Sequence, residues 1–207
     1  MSAVSPITTP RLTRPQRRAQ LLRAAAATFL HAGYDGTSVE AVAEHAGVTR
    51  LIVYRVFGSK RELYSAVLAS VTERLRSEFP PAEFPPASNP GSHHGFPPAP
   101  GAGIVVTVLG VARAEPDAFR LLWRHAAHEP LFAADALAFR EVVTAYTSAL
   151  LHAALEEPVM RIWAAQSLVN HLYDGVCGWL DVGDPDRDQQ FSEQMSAGLR
   201  ALVQAWS

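Results

Sequence analysis

TSVEAVAEHAGVTRLIVYRVFGSKRELY, from Thr37 to Tyr64, holds two short apolar periods separated by one glycine, Gly47. Val39, Val42 and Ala43 recur at helical spacing before it, and Val53 and Phe57 recur after it. Thr37 stands three residues before Glu40, and Ser59 three before Glu62, so two capping boxes are expected. The spacing predicts a short helix from Thr37 to Gly47, a second from about Thr49 to Val56, and a longer one after Ser59. Two short helices joined by a tight turn are helix-turn-helix geometry, in which the second helix suits the DNA major groove.

Four consecutive apolar or aromatic residues, Leu51 to Tyr54, lie in that second helix. A helix cannot bury four residues in a row on one side. Val53 and Phe57, four apart, are expected inside, with Val48 near them at the turn. Residues 49, 50, 54 and 55 are expected outside. Ile52 packs against a neighbouring helix. Leu51 is open to two readings: it touches a base, or it packs on its own domain. Helices this short need a common core, and Phe29, Val39, Val42, Val48, Val53, Phe57 and Leu63 are its candidates.

Upstream, residues 1–14 are rich in Pro, Thr and Ser and are expected to form a flexible basic arm. Arg11, Arg14, Arg17 and Arg18 either follow a phosphate backbone, reach into a minor groove, or are simply a solvated basic end. A helix is expected over Pro15–Ala32, ended by Gly33. Residues 15–60 thus form a small DNA-binding head. Downstream, 8 of the 21 residues in 80–100 are proline, so no helix or central strand is expected there, and a mobile linker is. Helical periods resume over 101–114, 116–127 and 131–155, followed by two long amphipathic runs. Residues 61–207 are the expected body. The fold class is all-α, eight or nine helices, a three-helix head joined to a helical bundle.

Composition agrees with a reader of polyanions. Residues 1–78 carry 11 Lys/Arg against 6 Asp/Glu, and the remainder 7 against 14. The single cysteine, Cys177, excludes an intrachain disulfide. No apolar run reaches membrane-spanning length, and the N-terminus has no secretory pattern, so a cytoplasmic protein with no membrane partner is expected.

Gly33 before an aromatic, Thr37, Ala43, Ala46–Gly47–Val48, Thr49, Tyr54, Phe57, Ser59–Lys60 and Leu63 together resemble the DNA-binding domain of the TetR family of bacterial transcriptional regulators. The resemblance covers about residues 15–65. The later helices are similar only in layout. It implies that Thr37 approaches a phosphate and that Thr49, Arg50 and Leu51 face the groove. Tyr54 would meet the backbone through its hydroxyl, Arg55 would share that face, and Lys60 would meet a phosphate. Two positions depart from the family's habit. It often has glycine or another small residue at Leu51, and a histidine, polar or aromatic residue at Val56.

For the body, the resemblance implies a homodimer on a palindromic double-stranded DNA operator, released by a small hydrophobic or aromatic effector. The two apolar stripes place Ile162, Val169, Leu172, Val176, Phe191, Met195, Leu199, Leu202 and Trp206 at the expected dimer interface. Phe119, Trp123, His128, Phe132, Tyr146, Trp163, Asn170 and Tyr173 supply the aromatic walls and sparse polar groups expected of an effector site. The expected function is a ligand-responsive repressor. The alternative is an activator, or a constitutive DNA binder of the same fold. His125, His128 and Glu129 do not match zinc-protease spacing, and no nucleophile–base set or Gly-rich phosphate loop is present. No metal, cofactor or catalysis is expected.

Overall fold

The computed structural model describes residues 12–79 and 102–207, so the expected arm and linker lie almost wholly outside the described residues. Among the described residues the chain is all-α. It divides into two compact units, 1–66 and 67–207, and the division falls inside a helix rather than in a loop.

The first unit begins with α1, Arg14–Gly36. Thr13 caps it: its hydroxyl accepts from the Gln16 amide, and the Gln16 side chain accepts from the Thr13 amide. Arg14, expected in the arm, is therefore the first helical residue. Gly33 breaks the helix with φ 71°, a conformation that side chains disfavour, as the sequence led us to expect.

Helix α2 spans Val39–His45 and α3 spans Arg50–Phe57. A Schellman turn joins them: the Val48 amide donates to the Ala43 carbonyl at 2.9 Å and the Gly47 amide to that of Glu44 at 3.0 Å. Gly47 sits there at φ 64°. The expected Thr37 cap is corrected. Ser38 caps α2, accepting from the Ala41 amide at 3.0 Å. Thr37 is 3% exposed and turns inward, its hydroxyl donating to the Gly33 and Thr28 carbonyls at 2.7 and 3.2 Å. Glu40 does not reach back to close a box either, since its carboxylate pairs with Arg50. The expected Ser59 cap forms, accepting from the Glu62 amide at 3.1 Å.

Helix α4, Lys60–Glu78, follows. Phe29, Val39, Val42, Val53, Phe57 and Leu63 fill the core of the head, joined by Leu21 and Tyr64, while Val48 is half-buried. Phe29 and Tyr64 meet edge to face at 4.9 Å.

In the second unit, α5 is Ala102–Ala114 and α6 is Pro116–Arg120. A π-helical turn, Leu121–His125, and a 3-10 turn, Ala126–His128, continue α6 where one helix to residue 127 was expected. Helices α7, Ala133–Leu150, α8, Pro158–Val182, and α9, Asp188–Trp206, complete the bundle. Charged pairs tie it together. Arg113 on α5 grips Asp188 of α9 through two nitrogens at 2.9 and 2.7 Å. Asp181 of α8 accepts from Arg120 at 2.9 Å and Arg124 at 2.7 Å.

Candidate functional site

Three sides of α3 have different fates because a helix advances 100° per residue. Val53 and Phe57 point into the head and are buried. Ile52 and Val56 are half-buried. Thr49, Arg50, Leu51, Tyr54 and Arg55 form an exposed row. Leu51 is 64% exposed, which rules out the reading in which it packs on its own domain.

The row is organised by Arg50. Its Nη1 donates to Oε1 of Glu40, ten residues earlier on α2, at 2.5 Å. Its guanidinium carbon lies 5.6 Å from the Tyr54 ring centroid. The Arg50 bond holds the Glu40 carboxyl below its usual range, and Glu40 pushes Arg50 up. Sequence spacing could not reveal this pair, because it spans the turn between two helices.

Two residues expected at phosphates are committed within the head. The Thr37 amide donates to the Tyr34 carbonyl at 3.3 Å, and its hydroxyl is directed inward as described. Both of its donors are thus taken, and Ser38, exposed beside it, was missed because either residue type makes a good cap. Lys60 Nζ donates to the Tyr34 and Thr37 carbonyls at 2.8 and 3.0 Å and lies 4.3 Å from the Tyr34 ring centroid. An ammonium has three donors, and these two carbonyls take two of them.

In the second unit, four of the residues expected around an effector are buried aromatics: Phe119, Trp123, Phe132 and Tyr173. Tyr173 is the hub. Phe119 stacks on it at 5.6 Å, Trp123 at 4.5 Å, and Phe139, which sequence reasoning missed, meets it edge-on at 5.8 Å. Burial pushes the Tyr173 phenol well above its ordinary value. The Trp123 indole donates to Asp174 at 2.6 Å. Arg140 lies over the Trp123 ring, its guanidinium carbon 3.7 Å from the centroid, and donates to the Trp123 carbonyl. Its Nε is buried with no acceptor. The remaining expected residues are not among the ring contacts of Tyr173. His128 and Asn170 are exposed, Tyr146 pairs with Phe79 at 6.1 Å, and the exposed Trp163 packs on Trp206 at 4.8 Å.

The expected dimer set is corrected in part. Val169, Leu172 and Val176 are 5%, 6% and 0% exposed, so they belong to the protomer's own core and have little area left to bury. Leu199, Leu202 and Trp206 pack against the cluster of Leu151, Leu155, Ala164, Ala165 and Leu168 within the same chain. Phe191 stacks on Trp179 at 4.8 Å, and Met195 is half-buried. Ile162, of the expected set, is exposed on the first turns of α8 together with Val159, Met160 and Trp163; Val106, Leu131, Leu137, Val142 and Val182 are exposed elsewhere in the unit. Among the described residues no helix is long and apolar enough to cross a membrane, and no three His, Cys, Asp or Glu side chains gather as a metal site.

Comparison with known proteins bears on both units. Residues 21–67 match the family described as bacterial regulatory proteins, tetR family. A 67-residue stretch is 43% identical to the HTH-type transcriptional activator FasR of Mycolicibacterium smegmatis, covering 32% of this chain and 31% of that protein. The match thus spans under a third of that relative. A TetR-like transcriptional regulator from Rhodococcus sp. RHA1 has a similar structure, with TM-score 0.68 and 22% identity over 92% of this chain and 99% of that one. A transcriptional regulator from Aquifex aeolicus VF5 gives TM-score 0.64 and 17% identity over 90% and 99%. The all-α fold of a small helix-turn-helix head and a helical-bundle body is common to this chain and these regulators.

Proposed function

We propose, from a head whose residues 21–67 match the tetR family of bacterial regulatory proteins, that this protein is a sequence-specific DNA-binding transcriptional repressor. It binds a palindromic operator as a homodimer and leaves it when a small effector binds the body. The observation that carries DNA binding is the exposed row on α3: Thr49, Arg50, Leu51, Tyr54 and Arg55 look outward while Val53 and Phe57 anchor the helix from behind. Hydroxyl, guanidinium and methyl groups on one exposed face suit base edges and phosphates in a major groove. A single head reads few base pairs, so two-fold repetition supplies the remaining specificity.

The dimer is supported by Val159, Met160, Ile162 and Trp163, an apolar patch beside the half-buried face of α9. The effector reading is supported by the ring cluster around Tyr173 and by Arg140, whose buried Nε lacks an acceptor. An effector acts only through different affinities for the DNA-competent and DNA-incompetent states. Activation is the second reading, favoured by the local identity to a protein named as an activator.

Selection of bound duplexes from a random pool tests the core of the proposal. Enrichment of an inverted repeat supports a dimeric reader, and enrichment of nothing removes it. A reporter carrying the selected site distinguishes repression from activation. Release from that site by a small molecule distinguishes a sensor from a constitutive binder.

A further inference from the structure

Arg50 is not free on the recognition face. Glu40 holds one nitrogen, Nη1, and the Tyr54 ring lies beside the guanidinium. Both partners of the ion pair are more than half exposed, at 63% and 54% of their side chains, so no packing forces them together. Any atom bonded to Arg50 Nη1 sits on the surface that α3 presents to DNA. A carboxylate there is unfavourable for simple polyanion binding, since it neutralises an arginine and repels phosphates. Its geometry suits another task. A guanidinium has five donors in a rigid fork. Glu40 occupies Nη1 and leaves the Nε–Nη2 edge open, and two parallel donors of that kind match O6 and N7 of guanine.

We propose that Glu40 is a positioning and specificity-determining residue of the head, buttressing Arg50 so that its open edge reads one guanine in each half-site while its carboxylate keeps Arg50 off the phosphates. The inference rests on the DNA-binding reading above. Guanine accepts two bonds from a guanidinium already oriented. A phosphate that takes the same open edge brings a second negative charge close to the Glu40 carboxylate, which weakens that contact, whereas a neutral guanine meets no such repulsion. The sequence outside the operator is thereby disfavoured more than the operator is.

The test uses the full-length chain and the operator selected from a random pool. Arg50→Lys keeps the charge and loses the fork, so the base pair at which discrimination collapses in that variant is the one Arg50 reads. Glu40→Gln should relax discrimination at that same base pair by about tenfold and leave the other positions unchanged. Affinity for a random-sequence duplex should rise, and its log–log salt slope should steepen by about 2, as one phosphate is gained per head in a dimer. Glu44→Gln removes the same charge one helical turn along α2, from a residue that makes no ion pair among the described residues, and should leave discrimination intact. In the Arg50→Lys background, Glu40→Gln should have no further effect on the base preference. Helical content and melting temperature measured alongside confirm that each variant is folded. Equal tightening on operator and random duplex would reduce Glu40 to a general charge effect and overturn the proposal. So would unchanged discrimination, or relaxation at a base pair that Arg50→Lys does not affect. A wild-type chain that binds neither duplex removes the DNA-binding reading, and this inference with it.

Discussion

Truncating Leu51 separates recognition from folding more cleanly than any other change in the head. The side chain stands 64% exposed on α3, so Leu51→Ala removes three carbons that the folded head hardly uses. Alanine is also the better helix former, and the stability of the isolated protein should stay within about 0.5 kcal/mol of wild type. Bound DNA is different. Burial contributes about 0.8 kcal/mol per CH2, and about two-thirds of three carbons remain to be covered, so each head forgoes up to about 1.5 kcal/mol. Two heads forgo up to about 3 kcal/mol, on the order of a hundredfold in Kd. Part of that should appear as weaker preference for thymine, whose methyl is the apolar group in the major groove. Fluorescence anisotropy on the selected operator measures affinity, a repeat selection measures preference, and thermal unfolding measures stability. Unchanged affinity and preference with unchanged unfolding would refute a base contact by Leu51. A melting temperature lowered by several degrees would refute the claim that the head does not use it.

Lys60 should behave in the opposite way. Its ammonium satisfies the Tyr34 and Thr37 carbonyls, so Lys60→Met should cost about 1–2 kcal/mol in denaturant unfolding even without DNA. A purely DNA-directed lysine would leave that curve unmoved. Acid should loosen the body through Asp188. Arg113 holds its carboxyl below the usual range, aided by the Trp179 indole, which donates to it at 2.7 Å, and opposed by its partial burial. A depressed folded value means that the stabilisation is complete above the unfolded value of about 3.9 and fades as pH falls through the folded one. Asp188→Asn should lower stability at neutral pH and flatten the acid limb of a stability–pH profile measured below about pH 4. An acid limb of wild-type steepness in that variant would assign the transition to other carboxyls.

The sequence by itself determined the head. Periods of three and four residues, Gly33 and Gly47 at the breaks and the Ser59 cap are local signals, and local backbone chemistry realises them almost residue for residue. Val53 and Phe57 turn inward and Thr49, Arg50, Tyr54 and Arg55 outward because one helix eight residues long allows little else. What failed at this level failed between neighbours: Thr37 and Ser38 are equivalent as caps, and the inward carbonyls of Thr28 and Gly33 decided which of them turned in.

The tertiary structure decided the relations that span helices. Glu40 meets Arg50 only because the turn at Gly47 brings α2 and α3 together, and Lys60 is drawn to carbonyls 26 and 23 residues away. Apolar periodicity marked α8 and α9 as amphipathic, yet it could not say whether a partner or the protomer would cover each stripe. Val176 is sealed inside while Val159 is 70% exposed, because burial depends on which neighbouring helices the bundle packs against each turn. The same is true of Tyr173, whose ring partners come from two separate stretches of chain. Periodicity is a property of one helix, whereas burial and charge pairing are properties of several, and only packing supplies the rest.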